Sequence, residues 1–303
     1  MDTTRPFTRE DALRAGISTK LLRGSRFRRL FRGVYISADS RPHALHRIEA
    51  GLIRHPEGAR VSHLSAAVLY GLPVPDHPDV HISVTRAQDR RWQPGIKPHV
   101  SPPGQRIRQV KGLPTSNPVR MFIELASMLG LVDLVVVGDA MPRVLGLSAS
   151  ELRAGLASTR DYWSPAARAA AVYVRNGVES PMESRLRMLL VLAGLPEPSI
   201  NYSVRDSTGK VRRLDLSYPH LRVAVEYEGR QHAETAEQWR KDIERREGLD
   251  GEGWRIVLVT AEGIYTEPWR TLERVVTVLR ERGANPTPLL QDWRPFFPGR
   301  QAS

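Results

Sequence analysis

The chain has 303 residues, 45 lysines and arginines against 33 acids, and a formal net charge of +12. A soluble protein this basic usually meets a polyanion, and nucleic acid is the first candidate. The absence of cysteine excludes disulfides, thiolate zinc sites and cysteine nucleophiles. A membrane surface is the weaker alternative, because no segment is typical of a basic amphipathic anchor and no apolar run is long enough to span a bilayer. The N-terminus lacks the apolar core of a signal peptide, so we expect a cytoplasmic location.

Residues 1–40 are predicted to form a small winged helix-turn-helix. Thr8 and Ser18 are good caps for two short helices, Arg9 to Ala15 and Thr19 to Arg23. The segment from Phe27 to Ile36 follows and is typical of a β wing. Exposed arginines there would contact DNA phosphates, which position a protein without reading sequence, although a solvated basic face without a partner stays open. The five arginines of this region have no acid between them: Arg23, Arg26, Arg28, Arg29 and Arg32.

Residues 41–175 are predicted to form a mixed α+β middle domain. We expect helices over 43–55, 62–70, 118–129, 132–143 and 165–175, and strands over 80–85, 98–101 and 106–112. Seven of the nine histidines lie between His43 and His99. Because no carboxylate stands beside them at a recognised ligand spacing, we expect surface or structural histidines here and not a metal site.

Residues 176–283 are predicted to form the C-terminal domain, followed by an irregular, proline-rich tail over 284–303. The expected order is a helix over 181–193, a hairpin over 199–217, a strand over 221–228, a charged helix over 233–249, a buried strand over 254–260 and a helix over 267–282 with Thr266 as its N-cap. The whole is therefore expected to be a multi-domain α/β protein.

The stretch from Asp215 to His232 concentrates acid in a basic chain. In a strand, Glu226 and Glu228 share one face, because alternate side chains point the same way. A hairpin that turns at residues 218–220 would bring Asp215 close to Glu226. Such carboxylates repel each other unless a cation or a base neutralises them, and the pattern therefore predicts ligands for a divalent metal.

The order of these elements, with acids on a helix and on the two strands after it, resembles the PD-(D/E)XK nuclease superfamily. In detail, about residues 177–283 resemble its bacterial branch of very-short-patch-repair endonucleases. The resemblance implies a restriction-endonuclease-like α/β domain with a mixed sheet flanked by helices, and metal-dependent hydrolysis of phosphodiesters. The matching residues are Glu179-Ser180-Pro181-Met182-Glu183-Ser184-Arg185-Leu186-Arg187, Leu214-Asp215-Leu216, Glu226-Tyr227-Glu228-Gly229-Arg230-Gln231-His232, Asp242, Arg245 and Gly253-Trp254-Arg255.

The resemblance also implies roles for individual residues. Asp215 and Glu226 would hold Mg²⁺, or Mn²⁺ in its place, because these hard cations take oxygen ligands. Glu183 would complete the shell or orient a metal-bound water. His232 would act as general base or acid, since its pKa lies near working pH.

Supporting roles follow from the same resemblance. Gln231 would hold a water or a phosphate oxygen, and Arg245 would meet the scissile phosphate or pair with Asp242. The chain also departs from the superfamily pattern: Glu228, which we include in the catalytic set, stands where a lysine is expected, and Leu214 replaces a proline. Metal binding is therefore a firmer expectation than any particular catalytic base.

Ordinary ion pairs are the alternative for each acid. Arg212 or Arg213 would then neutralise the two strand acids. Glu183 would pair with Arg187, one turn further along its helix. His232 would be a structural residue packed beside the glycine that ends the strand.

The N-terminal part resembles AbiEi family antitoxins, winged-helix regulators of toxin–antitoxin operons, and this implies DNA binding. Two functions stay open: a metal-dependent DNA endonuclease targeted by an N-terminal DNA-binding domain, or a non-catalytic DNA-binding regulator or antitoxin. A toxin or restriction partner and a homodimer also stay open. The matching segments are Phe7 to Ile36 with Arg32-Gly33-Val34-Tyr35, Val61-Ser62-His63-Leu64-Ser65-Ala66-Ala67, Gly71-Leu72-Pro73, Thr115-Ser116-Asn117-Pro118-Val119-Arg120 and Glu124-Leu125-Ala126.

Overall fold

A computed structural model describes residues 1–229 and 236–299, with the backbone alone for residues 236–239 and 242. The chain divides into two compact units, which are considered separately. Unit 1 contains residues 1–128 and 152–168, and unit 2 contains residues 129–151 and 169 onward. Within the described residues the fold is mixed α/β, with three sheets and twelve α-helices. The expected α/β class is confirmed at this level.

Unit 1 begins with a small antiparallel sheet and two capped helices. The Thr8 hydroxyl accepts from the backbone N–H of Asp11, whose carboxylate accepts in return from the N–H of Thr8, and Ser18 caps the second helix. Phe7 and Leu22 belong to the core beneath them. The elements are β1 (Phe7–Thr8), α1 (Arg9–Arg14), α2 (Thr19–Leu22), β2 (Phe27–Phe31) and β3 (Val34–Ser37), in sheet order β1-β3-β2. All but β1, which was not predicted, lie where the sequence predicted them, while their identity as a winged helix stays a prediction.

The remainder of unit 1 is built around a five-stranded mixed sheet. Its order is β6-β5-β4-β8-β7, with parallel pairs β4/β8 and β5/β6. Helix α4 ends at Gly71, whose φ of +77° is the left-handed conformation that favours glycine. The elements are α3 (Ala44–Leu52), β4 (Arg60–Val61), α4 (His63–Tyr70), β5 (Val80–Val84), β6 (Ile96–Val100), β7 (Ile107–Val110), β8 (Leu113–Ser116) and α5 (Pro118–Leu125).

Unit 2 contains a four-stranded mixed sheet of order β12-β11-β10-β9, in which only the pair β11/β12 is parallel. Helix α9 contacts α6, β10 and β11, and α12 contacts β11 and β12. From α10, Leu249 packs against Leu214, Ala224 and Trp254. Two helices have residues in both units: α7 (Ala149–Ala157) and α8 (Ser164–Tyr173). The other elements of unit 2 are α6 (Leu131–Leu145), α9 (Pro181–Leu192), β9 (Ser199–Arg205), β10 (Val211–Tyr218), β11 (Val223–Tyr227), α10 (Ala236–Gly251), β12 (Arg255–Val259), α11 (Ala261–Tyr265) and α12 (Pro268–Glu281).

A buried ion-pair network joins α9 to α6. The guanidinium of Arg187, which is fully buried, donates to the carboxylate of Asp139 at 2.9 Å, to Glu197 at 2.8 Å and to the carbonyl of Tyr173 at 2.8 Å. The hydroxyl of Ser184 donates to the same Asp139 oxygen at 2.8 Å. This network links α9 to α6 within unit 2.

Two local expectations for the C-terminal end had different outcomes. Glu267, and not Thr266, is the N-cap of α12, because the short helix α11 comes first and Thr266 is its C-cap. Residues 284–299 form no helix or strand, as predicted for this described part of the tail. Within the described residues, no helix combines the length and the apolarity needed to cross a membrane.

Candidate functional site

A cleft of about 760 Å³ in unit 2 is lined by four acids. Glu183 comes from α9, Asp215 from within β10 and Glu262 from α11, and Glu228 immediately follows β11. The cleft therefore lies beside the N-terminal turn of α9, where β11 ends next to β10. The lining residues are Ser180, Met182, Glu183, Asp215, Tyr227, Glu228, Gly229, Thr260, Ala261 and Glu262.

Backbone N–H groups orient the two innermost carboxylates. Glu183 lies in the first turn of α9, where Ser180 caps the helix, and its Oε2 accepts from the N–H of Glu179 at 3.0 Å. The Oδ2 of Asp215 accepts from the N–H of Tyr227 at 3.1 Å. Among the described residues, no hydrogen bond engages the second oxygen of either carboxylate.

The electrostatics of the cleft disfavour the charged form of Asp215. The pKa of Asp215 is raised from its ordinary 3.8 to about 6: burial is the largest cause, the charges of Glu183 and Glu226 act in the same direction, and the Tyr227 N–H and Arg245 act against it. A carboxylate in such a position is stabilised by an added cation. Perturbed acids of this kind are typical of catalytic and metal sites.

Glu226 is bound by an arginine from α10. The Arg245 guanidinium donates to both Glu226 oxygens, at 2.7 and 2.6 Å, and to the carbonyl of Arg213 at 3.1 Å. The Glu226 side chain is 6% exposed, so this bidentate pair is mostly shielded from water. The expected partner of Arg245 was Asp242 or a phosphate; the side chain of Asp242 lies outside the described residues.

Glu228, in contrast, lines the cleft and remains partly open to solvent. Its carboxylate accepts from Arg246 at 3.2 Å, and its N–H continues the strand pairing by donating to the carbonyl of Val259 at 2.8 Å. The two predicted residues that follow, Gln231 and His232, fall within 230–235 and lie outside the described residues.

The neighbouring arginines that would have neutralised the strand acids contact other groups. Arg212 donates to Asp206 at 2.6 Å, and Arg213 binds Glu179. Arg187 is occupied in the network with Asp139. These three alternatives from the sequence were therefore wrong, and the arginine that binds Glu226 comes from 19 residues further along the chain.

The predicted phosphate-binding arginines are accessible in unit 1. Arg28 and Arg29 lie on β2, and Arg32 lies in the turn to β3, where Gly33 has a φ of +79°. Arg23 and Arg26 precede the hairpin. All five side chains are exposed, as phosphate contacts require.

Sequence reasoning missed a second cluster, also in unit 1. The donor nitrogens of His63, His81 and His99 all lie within 4.8 Å of one another, and within the described part of the chain no other His, Asp or Glu group of three or more is as compact. The three residues come from α4, β5 and β6. Only the pairing of distant elements brings them together, so no local spacing could have shown it.

Comparison with known proteins gives relatives and no functional assignment. No family model matches the chain. The proteins called "Uncharacterized protein MT2308" (Mycobacterium tuberculosis strain CDC 1551 / Oshkosh) and "Uncharacterized protein Rv2248" (strain ATCC 25618 / H37Rv) are each 30% identical to it over 215 residues, which is 70% of this chain and 78% of the relative.

Among solved structures, the RV2827C protein from M. tuberculosis is 16% identical, with a TM-score of 0.40 over 66% of this chain and 83% of that chain. A likeness this distant supports no argument about the fold or the site. The sequence relatives are closer and cover most of both proteins. The chain belongs to the same family as the two mycobacterial proteins MT2308 and Rv2248.

Proposed function

We propose that the protein is a metal-dependent DNA endonuclease that hydrolyses phosphodiester bonds, targeted to DNA by its N-terminal arginines. The observation that carries the proposal is Asp215, held in a cleft beside Glu183 and Glu228 with its pKa raised to about 6. A surface that only binds DNA gains nothing from converging carboxylates, because they repel the phosphate backbone. A cation between the acids and the phosphate removes that repulsion.

The cleft residues fit Mg²⁺ or Mn²⁺. Both cations take hard oxygen ligands and keep several waters, so a few carboxylates in an open cleft suffice. Asp215 has one oxygen on the Tyr227 N–H and Glu183 has one on the Glu179 N–H, which leaves the other oxygen of each for a ligand role. When bound, such a cation lowers the pKa of a water and neutralises charge on the phosphate.

The pairing of Glu226 with Arg245 refines the predicted ligand set. Asp215 remains the first ligand. Arg245 engages both oxygens of Glu226, whereas Glu228 lines the cleft together with Asp215. We therefore assign Glu228 as the second ligand in this arrangement. Glu226 and Arg245 then act together beneath the site, where they join β11 to α10.

Plasmid nicking tests the proposal. The full chain with Mg²⁺ or Mn²⁺ should convert supercoiled plasmid to the open circle. Asp215→Asn should reduce the rate by at least about 100-fold, since weaker, outer-sphere changes at metal sites already cost about 10–100-fold. Glu228→Gln should resemble it, and the exposed Glu252→Gln should cleave like the wild type. Absence of cleavage with either metal, or an undiminished rate in Asp215→Asn, rules the enzyme out.

A DNA-binding regulator or antitoxin is the second candidate, and Arg245 is the observation that favours it. An arginine that already neutralises Glu226 means that part of the acidic set is balanced without a cation. This function predicts that the full chain retains its own promoter fragment against random competitor DNA. It also predicts that Asp215→Asn binds as the wild type does and that neither protein cleaves. Loss of the preference for the promoter fragment contradicts it.

A further inference from the structure

We propose that unit 1 holds a zinc ion between the imidazoles of His63, His81 and His99. This site is separate from the acidic cleft, and it does not depend on nuclease activity. The three residues lie on α4, β5 and β6, so a bound ion would connect the start of a helix to two neighbouring parallel strands.

The spacing of the donor atoms suits one small cation. Nδ1 of His81 lies 2.8 Å from Nε2 of His99, and all three donors lie within 4.8 Å of one another. Tetrahedral zinc with bonds of about 2.0–2.1 Å places its ligand nitrogens about 3.3 Å apart. The observed donor–donor distances, from 2.8 Å to at most 4.8 Å, include this value. The rings of His63 and His99 stack with centroids 3.7 Å apart, so their planes must tilt to direct both lone pairs at one ion.

Two of the three remaining ring nitrogens have polar partners. Nδ1 of His63 lies 2.9 Å from the Ser62 hydroxyl, and Nε2 of His81 lies 3.2 Å from the ring of His77. Histidine ligands normally use their second nitrogen in this way, which fixes the ring and its tautomer. The contacts assign Nε2 of His63, Nδ1 of His81 and Nε2 of His99 to the metal.

The three imidazoles carry no positive charge that would repel a cation. Burial lowers the pKa of His81 to about 3 and that of His99 to about 4, and it lowers the pKa of His63 well below 6.5. At neutral pH the rings are therefore uncharged, which is the form that binds metal. The buried carboxylate of Glu124, whose Oε2 lies 4.0 Å from Nδ1 of His63, is itself paired with Arg120 at 3.1 Å.

The backbone of His63 adopts an unusual conformation that favours the same interpretation. Its φ is +49°, in the left-handed region that residues other than glycine seldom occupy. The Glu124 carboxylate accepts from the His63 N–H at 3.2 Å and holds it there. Such strained positions persist where the surrounding structure enforces them, and they concentrate at ligand sites.

The donor chemistry selects the metal. Three neutral imidazoles suit zinc and its late first-row neighbours, whereas Mg²⁺ and Ca²⁺ require oxygen ligands. The chain has no cysteine that could compete for zinc. Three histidines also leave a fourth position for a water.

Zinc titration of the chelator-treated full chain against a chromophoric competitor tests the proposal. We expect one Zn²⁺ per chain, and Co²⁺ in its place should give the visible absorption of a tetrahedral site. His81→Gln and His99→Gln should each weaken binding by more than about 100-fold, beyond the 10–100-fold typical of changes to residues that only contact a metal ligand. Circular dichroism checks that both variants fold. If His81→Gln does not fold, His99→Gln alone provides the test, because His99 is partly exposed.

Two matched controls identify the site. His46→Gln removes a histidine that also contacts a second histidine ring, at a centroid distance of 4.0 Å, but lies outside the cluster. Asp215→Asn removes the central acid of the cleft. Both should bind zinc as the wild type does. The proposal is overturned if wild type binds no zinc, if His99→Gln binds it equally well, or if His46→Gln loses it to the same extent.

Discussion

Asp215 is expected to destabilise the fold when it is ionised. Its pKa is about 6 in the folded chain against an ordinary 3.8, so the folded state holds the proton more tightly and stability falls as pH rises between these values. The destabilisation is absent below the lower pKa and complete above the higher one. At pH 7.5 the difference corresponds to about 3 kcal/mol, which partial exposure of the side chain reduces to about 1–3 kcal/mol.

Asp215→Asn should therefore stabilise the protein while it abolishes cleavage. The amide oxygen of asparagine can still accept from the Tyr227 N–H, so the change removes the charge and keeps the contact. We expect the free energy of unfolding to rise by about 1–3 kcal/mol at pH 7.5 and by at most about 1 kcal/mol at pH 4.5. Urea titration followed by tryptophan fluorescence measures both values, and Trp254 lies in the core of unit 2.

The control is Asp250→Asn, which changes an exposed acid on α10 and should shift stability by less than about 0.5 kcal/mol at either pH. Mg²⁺ should stabilise the wild type at pH 7.5 and leave Asp215→Asn unchanged, since only the carboxylate binds it. The electrostatic explanation is refuted if Asp215→Asn raises the free energy of unfolding equally at both pH values, or lowers it at pH 7.5.

Three further predictions concern other parts of the molecule. Arg187→Met should destabilise unit 2 by about 3–5 kcal/mol in urea titrations, because it leaves the buried carboxylate of Asp139 unpaired, and adding Asp139→Asn should recover part of the loss. Thr8→Ala should lower the thermal stability of unit 1 by about 1 kcal/mol through loss of the helix cap. A variant in which three arginines of the β2–β3 hairpin, Arg28, Arg29 and Arg32, are changed to glutamine should bind DNA more weakly, with a shallower salt dependence in filter binding.

Local patterns predicted most of the helices, because capping residues and glycines act over one or two turns. Thr8, Ser18 and Gly71 mark element boundaries within a residue or two of where they were expected. Three short strands, β1, β4 and β8, were missed because none carries an alternating pattern long enough to detect. Helices α7 and α11 were also missed, and the cap of α12 was displaced because α11 precedes it.

The candidate site was predictable in part. The helix position of Glu183 and the strand position of Asp215 followed from the sequence, and the structure places both in one cleft. The contact of Arg245 with Glu226 depends on how α10 packs against the sheet, which no local pattern specifies. The grouping of His63 with His81 depends likewise on the pairing of distant elements.

The most direct test of the central claim is an anomalous difference map from crystals of the full chain soaked in Mn²⁺. The account predicts a peak within about 2.3 Å of a carboxylate oxygen of Asp215, a metal–ligand distance, with Glu228 or a released Glu226 as its neighbour. The same soak of Asp215→Asn should show no peak there. A cleft without manganese in the wild type, with Arg245 still on Glu226, would contradict the metal site and leave the regulator as the better account.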